Sequence, residues 1–191
     1  MPLGGISLTE AFGFLTGLVN VWLLARQNIW NWPVGIANNL LYLTVFAASG
    51  LYADSALQVF FAALNAYGWW HWLRPGTGLQ QLPVTRMGRE TGIWLAVCTL
   101  AGSAALAVWL SRFTDSTVPA WDAMTTALSL AATYGQTRKL LESWWLWIAA
   151  DLIYIPLYIY RGLDLTAFLY FIFLLLCMMG LRHWKRAIQA S

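Results

Sequence analysis

Residues 165–184 read LTAFLYFIFLLLCMMGLRHW, a run of apolar residues in which basic side chains enter only at Arg182 and His183. A helix needs about 20 predominantly apolar residues to cross a bilayer, so this run predicts a transmembrane helix. The whole chain has the same character, since 60% of its 191 residues are hydrophobic and 10% are charged. Soluble domains have about 45–50% apolar and about 25% charged residues. The composition therefore excludes an ordinary soluble enzyme and a disordered chain.

Six further apolar runs precede this one, and together they predict an all-α membrane protein with seven transmembrane helices. The spans lie at about residues 7–25, 30–49, 55–73, 92–111, 119–137, 143–160 and 165–184. The connections are short, with turn signals at Gly50 and Gly162. The one longer connection, at about residues 74–91, is polar and is predicted to be flexible. No positively charged leader precedes the first span, so no signal peptide is predicted.

An internal repeat sets the predicted topology. Residues 26–74 align without gaps onto residues 138–186, so that one constant offset relates every pair of counterparts. Identical pairs include Trp32/Trp144, Tyr42/Tyr154, Gly68/Gly180, His71/His183, Trp72/Trp184 and Arg74/Arg186, and Asn39 is matched by Asp151. Three spans reverse the direction of the chain, and a fourth restores it before the second copy begins. The sequence therefore predicts a 3+1+3 arrangement of parallel repeats, which is typical of transporters.

The predicted boundaries make one transmembrane domain of residues 1–191. Repeat one covers about residues 7–74, a linking helix covers about 92–111, and repeat two covers about 119–186. The Lys and Arg residues predict the orientation of this domain. Nine of them fall on the side that holds the C-terminus, and only Arg112 and Arg161 fall on the other side. Because cytoplasmic loops are enriched in Lys and Arg, the C-terminus is expected in the cytoplasm and the N-terminus outside.

Asp151 is the residue with the highest cost in a membrane, because it lies at the middle of the sixth span. No Lys or Arg is predicted at the same depth to pair with this carboxylate. Either the substrate supplies the positive charge, or Asp151 is protonated and bonded to a neighbouring helix. Trp144 and Trp147 lie on the same helix face, seven and four residues before Asp151. Indoles beside one carboxylate suit a flat, positively charged ring. The alternative for Trp144 is an interfacial anchor in the aromatic belt.

Amide side chains are the second group of candidate binding residues. Gln58 and Asn65 share one face of the third span, and Asn38 lies within the second span beside Asn39. Such amides bind a carboxamide or sugar hydroxyls, or they bind other helices. No metal-ligand, nucleophile or phosphate-loop motif accompanies them, so neither an enzyme, nor a cofactor, nor nucleic-acid binding is predicted.

Several motifs resemble one family of membrane proteins. Residues 144–151, WWLWIAAD, fit the WxxWxxx(N/D) motif of the PnuC family of bacterial vitamin transporters. Residues 31–35 (NWPVG), 65–69 (NAYGW) and 180–184 (GLRHW) are also similar to that family. The resemblance extends over about residues 10–186. Each motif is short, but their order and spacing together are specific.

The resemblance implies a fold related to SWEET sugar transporters and assembly as a homotrimer. It implies facilitated diffusion of nicotinamide riboside across the inner membrane, with a cytoplasmic kinase that traps the substrate for NAD biosynthesis. Thiamine and riboflavin are substrates of related branches. The family's site residues correspond to Trp144, Trp147 and Asp151 here, with Gln58, Asn65 and Tyr170 at further family positions. Many members have Asn in place of Asp151, so the resemblance leaves the fine substrate choice open. Nicotinamide riboside is the first candidate, thiamine follows because it is also a flat cation, and the neutral riboflavin ranks third.

Overall fold

The structure is a computed structural model that describes residues 8–48, 52–74, 82–114, 118–160, 162 and 164–190, with the backbone alone at 8–11, 52–54 and 165. This part of the chain forms seven α-helices. They are α1 (Leu8–Ala25), α2 (Asn31–Ala48), α3 (Tyr52–Leu73), α4 (Arg89–Phe113), α5 (Pro119–Thr137), α6 (Ser143–Tyr160) and α7 (Asp164–Ala190). Gly50 and residues 75–81, including part of the predicted long connection, lie outside the described residues.

Each helix coincides with one predicted span, and the largest difference is at the end of α7. The apolar run ends at residue 184, whereas the helix continues to Ala190. Residues 185–190 contain no Gly or Pro, so the backbone has no reason to stop where the apolar residues stop. The length of the hydrophobic run therefore predicted the membrane-crossing part of α7 and missed its polar extension.

Six of the helices form a closed ring. Each packs against the two beside it, in the order α1, α2, α3, α5, α6, α7 and back to α1. Helix α4 packs only on α5 among the described helices, and therefore lies outside the ring. Helices α2 and α6 do not touch one another and stand on opposite sides of the ring. Polar side chains on the inner faces of these helices are thereby kept away from lipid.

Local structure recurs along the chain at the offset of the internal repeat. The bounds of α2 moved by this offset are those of α6. The C-terminus of α1 closes with a hydrogen bond from Asn28 N to Leu23 O, and the C-terminus of α5 closes with one from Leu140 N to Gly135 O, both of 2.9 Å. The preceding residue has a positive φ in both turns, 55° at Gln27 and 51° at Lys139. These are two copies of the Schellman helix ending.

Two tryptophans connect the halves of the ring at the end where these turns lie. Trp72 Nε1 donates to Gln136 O of α5 over 3.2 Å, and Trp184 Nε1 donates to Leu24 O of α1 over 3.3 Å. The two acceptors are also counterparts at the repeat offset. Both are carbonyls in the last turn of a helix, and each also accepts a backbone hydrogen bond of its Schellman turn, from Gln27 N or Lys139 N. The indoles therefore act as second donors to these carbonyls and join α3 to α5 and α7 to α1.

The end of the long connection is ordered, contrary to the prediction of flexibility for the whole of it. Thr85 N donates to Lys139 O over 3.0 Å, and Leu141 N donates back to Thr85 O over 2.9 Å. Glu142 Oε2 accepts a hydrogen bond of 2.7 Å from Met87 N. Val84 is buried in a core with Leu141 and other apolar side chains. Backbone pairing with the α5–α6 turn fixes this segment, and the composition of a polar loop does not reveal such a partner.

The outer surface of the ring and of α4 is apolar. Large hydrophobic side chains such as Phe12, Trp94, Leu100, Phe113 and Phe168 are exposed. Two helices of the described part, over Arg89–Phe113 and Thr166–Ala190, are long and apolar enough to cross a membrane by length and composition alone. An apolar exterior around a polar interior is the arrangement expected of a protein whose solvent is lipid.

Candidate functional site

Asp151 lies on the inner side of α6 and is only 2% exposed. The Cys177 thiol of α7 is hydrogen-bonded to its carboxyl group. Its second oxygen, Oδ2, is buried and has no hydrogen-bond partner within the described part of the chain. A buried carboxyl oxygen without a partner is costly, so this atom is a candidate to bind a ligand.

Trp144 and Trp147 of the same helix differ in how much ring surface is free to contact a ligand. Trp144 is completely buried, and its ring lies 2.5 Å from the place where a Cβ on Gly180 would stand. Its ring also meets Trp184 edge to face, with centroids 5.4 Å apart. Trp147 is partly buried and packs against the same core. Trp147 therefore has more free ring surface for a ligand, whereas Trp144 offers a buried Nε1 with no partner in the described residues.

Tyr170 belongs to an aromatic cluster beside the carboxylate. Its ring centroid lies 4.6 Å from that of Tyr154 and 5.0 Å from that of Tyr158, both on α6. Phe173 meets Tyr170 edge to face at 5.6 Å. The cluster lines α6 and α7 on the side of Asp151 away from Trp144, and it extends the aromatic surface of the site.

The three predicted amides lie on the other side of the ring, on α2 and α3. Asn65 and Gln58 are both partly buried on α3. Asn38 on α2 donates from Nδ2 to Gly13 O over 2.8 Å and has Thr16 Oγ1 at 2.7 Å. The amide nitrogen of Asn38 therefore holds α1 against α2, which was one of the two roles considered for it. The predicted residues thus form two groups, and the ring places them opposite one another.

Sequence reasoning singled out Asn38 and left its neighbour outside the site. Asn39 Nδ2 is buried without a partner among the described residues, and Asn39 is the repeat counterpart of Asp151. Asn20 on α1 and Gly35 on α2 were also missed. The signal for Asn20 was visible, since it is an amide within an otherwise apolar span. For Gly35 the signal was the internal repeat, because its counterpart there is Trp147, which is a predicted site residue.

A second polar cluster lies at the end of the ring where the two Schellman turns meet. Lys139 is only 2% exposed, and its Nζ donates to Gln27 Oε1 over 3.1 Å. The ammonium also lies 4.3 Å from the centroid of the Trp72 ring. Burial lowers the pKa of Lys139 to about 8. A cavity of about 410 Å³ adjoins this cluster, lined by Gln27, Asn28, Ile29, Trp72, Leu73, Leu82 and Lys139.

The described residues contain no group of three or more His, Cys, Asp or Glu side chains that could hold a metal ion. The polar atoms that face the interior of the ring are instead a carboxylate, amides, hydroxyls and indole N–H groups. These groups can bind a small molecule through charge, stacking and hydrogen bonds. A polar site enclosed by a ring of helices with an apolar exterior is an arrangement typical of membrane transporters.

The chain belongs to a family described as nicotinamide mononucleotide transporter, whose model matches residues 7–186. It is 27% identical, over an alignment of 213 positions, to the nicotinamide riboside transporter PnuC of Escherichia coli. The alignment covers 96% of this chain and 89% of that protein. It is 25% identical over 182 residues to the riboflavin/roseoflavin transporter RibM of Streptomyces davaonensis, covering 92% of this chain and 84% of that one.

The fold also matches a solved structure. The crystal structure of a vitamin B3 transporter PnuC superposes with a TM-score of 0.75, at 19% identity, over 95% of this chain and 82% of that one. These relatives confirm the resemblance inferred from the motifs. They support a multi-pass membrane protein of a transporter family, and the names of these relatives point away from an enzymatic role.

Proposed function

We propose that this protein carries nicotinamide riboside across the bacterial inner membrane by facilitated diffusion. The observation that carries the proposal is the Asp151 carboxyl group, which is buried inside the ring beside Trp147 and has one oxygen without a partner in the described residues. Nicotinamide riboside has a flat pyridinium ring with a permanent positive charge. Asp151 balances that charge, and the Trp147 indole and the Tyr170 cluster stack on the ring.

The proposed transport cycle uses two parallel repeats of three helices, joined by α4 in a 3+1+3 arrangement related to that of SWEET transporters. Repeat one covers about residues 7–74, the linking helix about 92–111, and repeat two about 119–186. The recurrence of the Schellman turns at Gln27 and Lys139 supports this division. Rocking of one repeat against the other exposes the central site to each side in turn.

The orientation of the proposed transporter has the N-terminus outside and the C-terminus in the cytoplasm. Arg26, Arg74, Arg138 and Arg182 then lie at the cytoplasmic end, as the distribution of basic residues favours. A cytoplasmic kinase phosphorylates the entering riboside and so keeps the flow inward without ATP or an ion gradient at the transporter. No cofactor is needed for this cycle. We propose a homotrimer, for which the exposed apolar surface of α4 leaves room for neighbouring subunits or lipid.

Riboflavin is the second candidate substrate because one relative is a riboflavin/roseoflavin transporter. Riboflavin and nicotinamide riboside share an aromatic ring that carries a hydroxylated five-carbon group. They differ in charge, since riboflavin is neutral and would leave Asp151 to bind hydroxyl groups. Thiamine is the third candidate, because it is also a flat cation.

Equilibrium binding to the purified protein tests the substrate. Calorimetric titrations with nicotinamide riboside, thiamine and riboflavin are compared under one condition, with Asp151→Ala as the matched variant. Selective binding of nicotinamide riboside that is weakened by about 10- to 100-fold in Asp151→Ala is expected. Selective binding of riboflavin or thiamine would replace the proposed substrate and keep the transporter class.

Uptake into proteoliposomes tests the mechanism. Labelled nicotinamide riboside is expected to equilibrate across the membrane without an ion gradient, and to accumulate only when a nicotinamide riboside kinase and ATP are enclosed. Accumulation driven by a proton or sodium gradient alone would contradict facilitated diffusion.

A further inference from the structure

The last turns of α7 have a cavity on the side that faces away from the candidate substrate site. The cavity has a volume of about 340 Å³ and is lined by Leu175, Met178, Met179, Arg182, His183 and Arg186. These positions recur every three or four residues, so they form one stripe along the helix, here called the α7 stripe. The buried residues Cys177, Gly180 and Trp184 lie on the opposite face of the same turns. The α7 stripe therefore faces the surroundings of the ring.

The chemistry of the α7 stripe changes along the helix. Leu175, Met178 and Met179 lie within the apolar run that predicts the membrane-crossing part of α7. Arg182 lies near the end of that run, and Arg186 lies one turn further, in the polar extension. A surface that is apolar at membrane depth and cationic at the membrane boundary matches the acyl chain and the phosphate of a phospholipid.

The equivalent positions on α3 show what is special about these arginines. Arg74 is the counterpart of Arg186, and its guanidinium carbon lies 3.8 Å from the centroid of the Trp70 ring. Trp70 is the counterpart of Arg182. On α3 the arginine therefore stacks on an aromatic ring of the protein itself, whereas on α7 a second cation stands where that ring would be.

The two arginines of α7 favour an anion between them. They are four residues apart on one helix face, where like charges repel. Within the part of the chain that the structure describes, neither Arg182 nor Arg186 makes an ion pair or a hydrogen bond with another side chain. A phosphate group that contacts both guanidiniums replaces the repulsion with charge-assisted hydrogen bonds.

We propose that the α7 stripe binds a phospholipid with an anionic headgroup. Arg182 and Arg186 hold the headgroup phosphate, and an acyl chain lies along the apolar part of the stripe. Zwitterionic phospholipids also have a phosphate, but they carry a cationic group that the two arginines repel. Because α3 has Trp70 in place of Arg182, the lipid binds to one of the two proposed repeats and not to the other.

Native mass spectrometry of the purified protein tests this preference. The protein is mixed with phosphatidylglycerol, which is anionic, or with phosphatidylcholine, which is zwitterionic, and the bound lipid is counted. The parent should bind phosphatidylglycerol more tightly. Arg182→Gln and Arg186→Gln should each reduce the ratio of the two affinities by about fivefold, the usual effect of one basic residue at an anionic lipid surface.

Lys185→Gln is the matched control, because Lys185 is an exposed cation of the same turn that does not line the cavity. It should keep the lipid preference of the parent. A variant with both Arg182→Lys and Arg186→Lys retains the charges and should keep most of the preference. Higher salt should weaken the preference in the parent, since these charges are exposed to solvent.

Four outcomes would overturn the assignment. They are the absence of a preference in the parent, an unchanged preference in the variant with both Arg182→Gln and Arg186→Gln, and an equal reduction in Lys185→Gln. The third of these would show that the charge of the helix end, and not the α7 stripe, attracts the lipid. The fourth is a changed oligomeric mass of the double variant with an unchanged lipid preference, which would assign the stripe to a contact between subunits. Thermal unfolding in detergent verifies that each variant is folded.

Discussion

Lys139 Nζ donates a hydrogen bond to Gln27 Oε1 over 3.1 Å, and the two residues are counterparts in the internal repeat. Each occupies the left-handed position of a Schellman turn, with a φ of 51° at Lys139 and 55° at Gln27. A contact between equivalent residues lies on the axis that relates the two proposed repeats. This contact lies at the end of the ring that is predicted to be cytoplasmic from the distribution of basic residues. In the proposed rocking of the two repeats, these side chains separate when this end opens.

The buried ammonium of Lys139 should make stability depend on pH. Its pKa is about 8 in the folded protein, compared with a usual 10.5, so between these values the unfolded chain holds a proton that the folded chain has lost. The folding stability contributed by this group therefore rises as pH increases from about 8 to about 10.5, and is constant below pH 8. The groups against the ammonium are Gln27 and Trp72, and neither titrates in this range.

Thermal unfolding in detergent of the parent and of Lys139→Met checks this dependence. The Tm of the parent minus that of Lys139→Met is expected to increase by roughly 3 °C between about pH 8 and about pH 10. A constant difference across this range would show that Lys139 stays charged within the fold.

Position 180 needs glycine because the Trp144 ring occupies the space that a Cβ there would take. An alanine Cβ at position 180 would lie 2.5 Å from two ring atoms of a side chain that is completely buried. Gly180→Ala should therefore destabilise the protein by about 1–3 kcal/mol, the usual cost of overpacking a core. Gly68→Ala meets the Trp32 ring in the same way and should have a similar effect.

Gly102→Ala on α4 is the matched control for both glycine variants, because nothing lies within 4 Å of an added Cβ there. The control should be stabilising by about 0.5–1 kcal/mol, since alanine is the better helix former. Thermal unfolding of the three variants gives the comparison, and equal effects at positions 180 and 102 would contradict the proposed role of close packing.

Asp151 should determine affinity for a cationic ligand. Asp151→Ala removes a charge-assisted contact and should weaken nicotinamide riboside binding by about 10- to 100-fold, corresponding to about 1.5–3 kcal/mol. Asp151→Asn keeps the shape and one acceptor oxygen, and should lose less. Calorimetry on the folded variants measures both. If both variants bound riboside like the parent, Asp151 would not contact the substrate.

Substitution of Trp147 should mainly lower ligand affinity, and substitution of Trp144 should mainly lower folding stability. Trp147→Ala should weaken binding and leave most of the stability, because the ring is only partly packed against the core. Trp144→Ala should lose about 3–5 kcal/mol of stability, because it leaves a cavity beside Gly180 and Trp184. Binding and thermal unfolding of the same preparations give the two readouts. Equal loss of stability in both variants would show that Trp147 is also a core residue.

Much of the candidate site was visible in the sequence because polar residues are costly in a membrane. Asp151 was found in this way, and the structure indeed buries it inside the ring. Asn39 was visible by the same reasoning, but Asn38 beside it was equally polar. Only the packing distinguishes them, since the amide nitrogen of Asn38 bonds to α1 and that of Asn39 has no partner in the described residues. Adjacent positions on a helix point in different directions, and composition does not show which direction meets a neighbouring helix.

The sequence by itself determined the number of helices, their bounds to within a few residues, and the pairing of positions at one constant offset. Hydrophobic length and repeated Trp, Gly and Arg residues are local properties, so one sequence suffices to read them. The tertiary structure decided which helices are neighbours, that α2 faces α6 across a ring, and that Gly35 makes room for the amides of Asn20 and Asn65. Those facts depend on contacts between residues far apart in the chain, and such contacts leave no periodic signal along it.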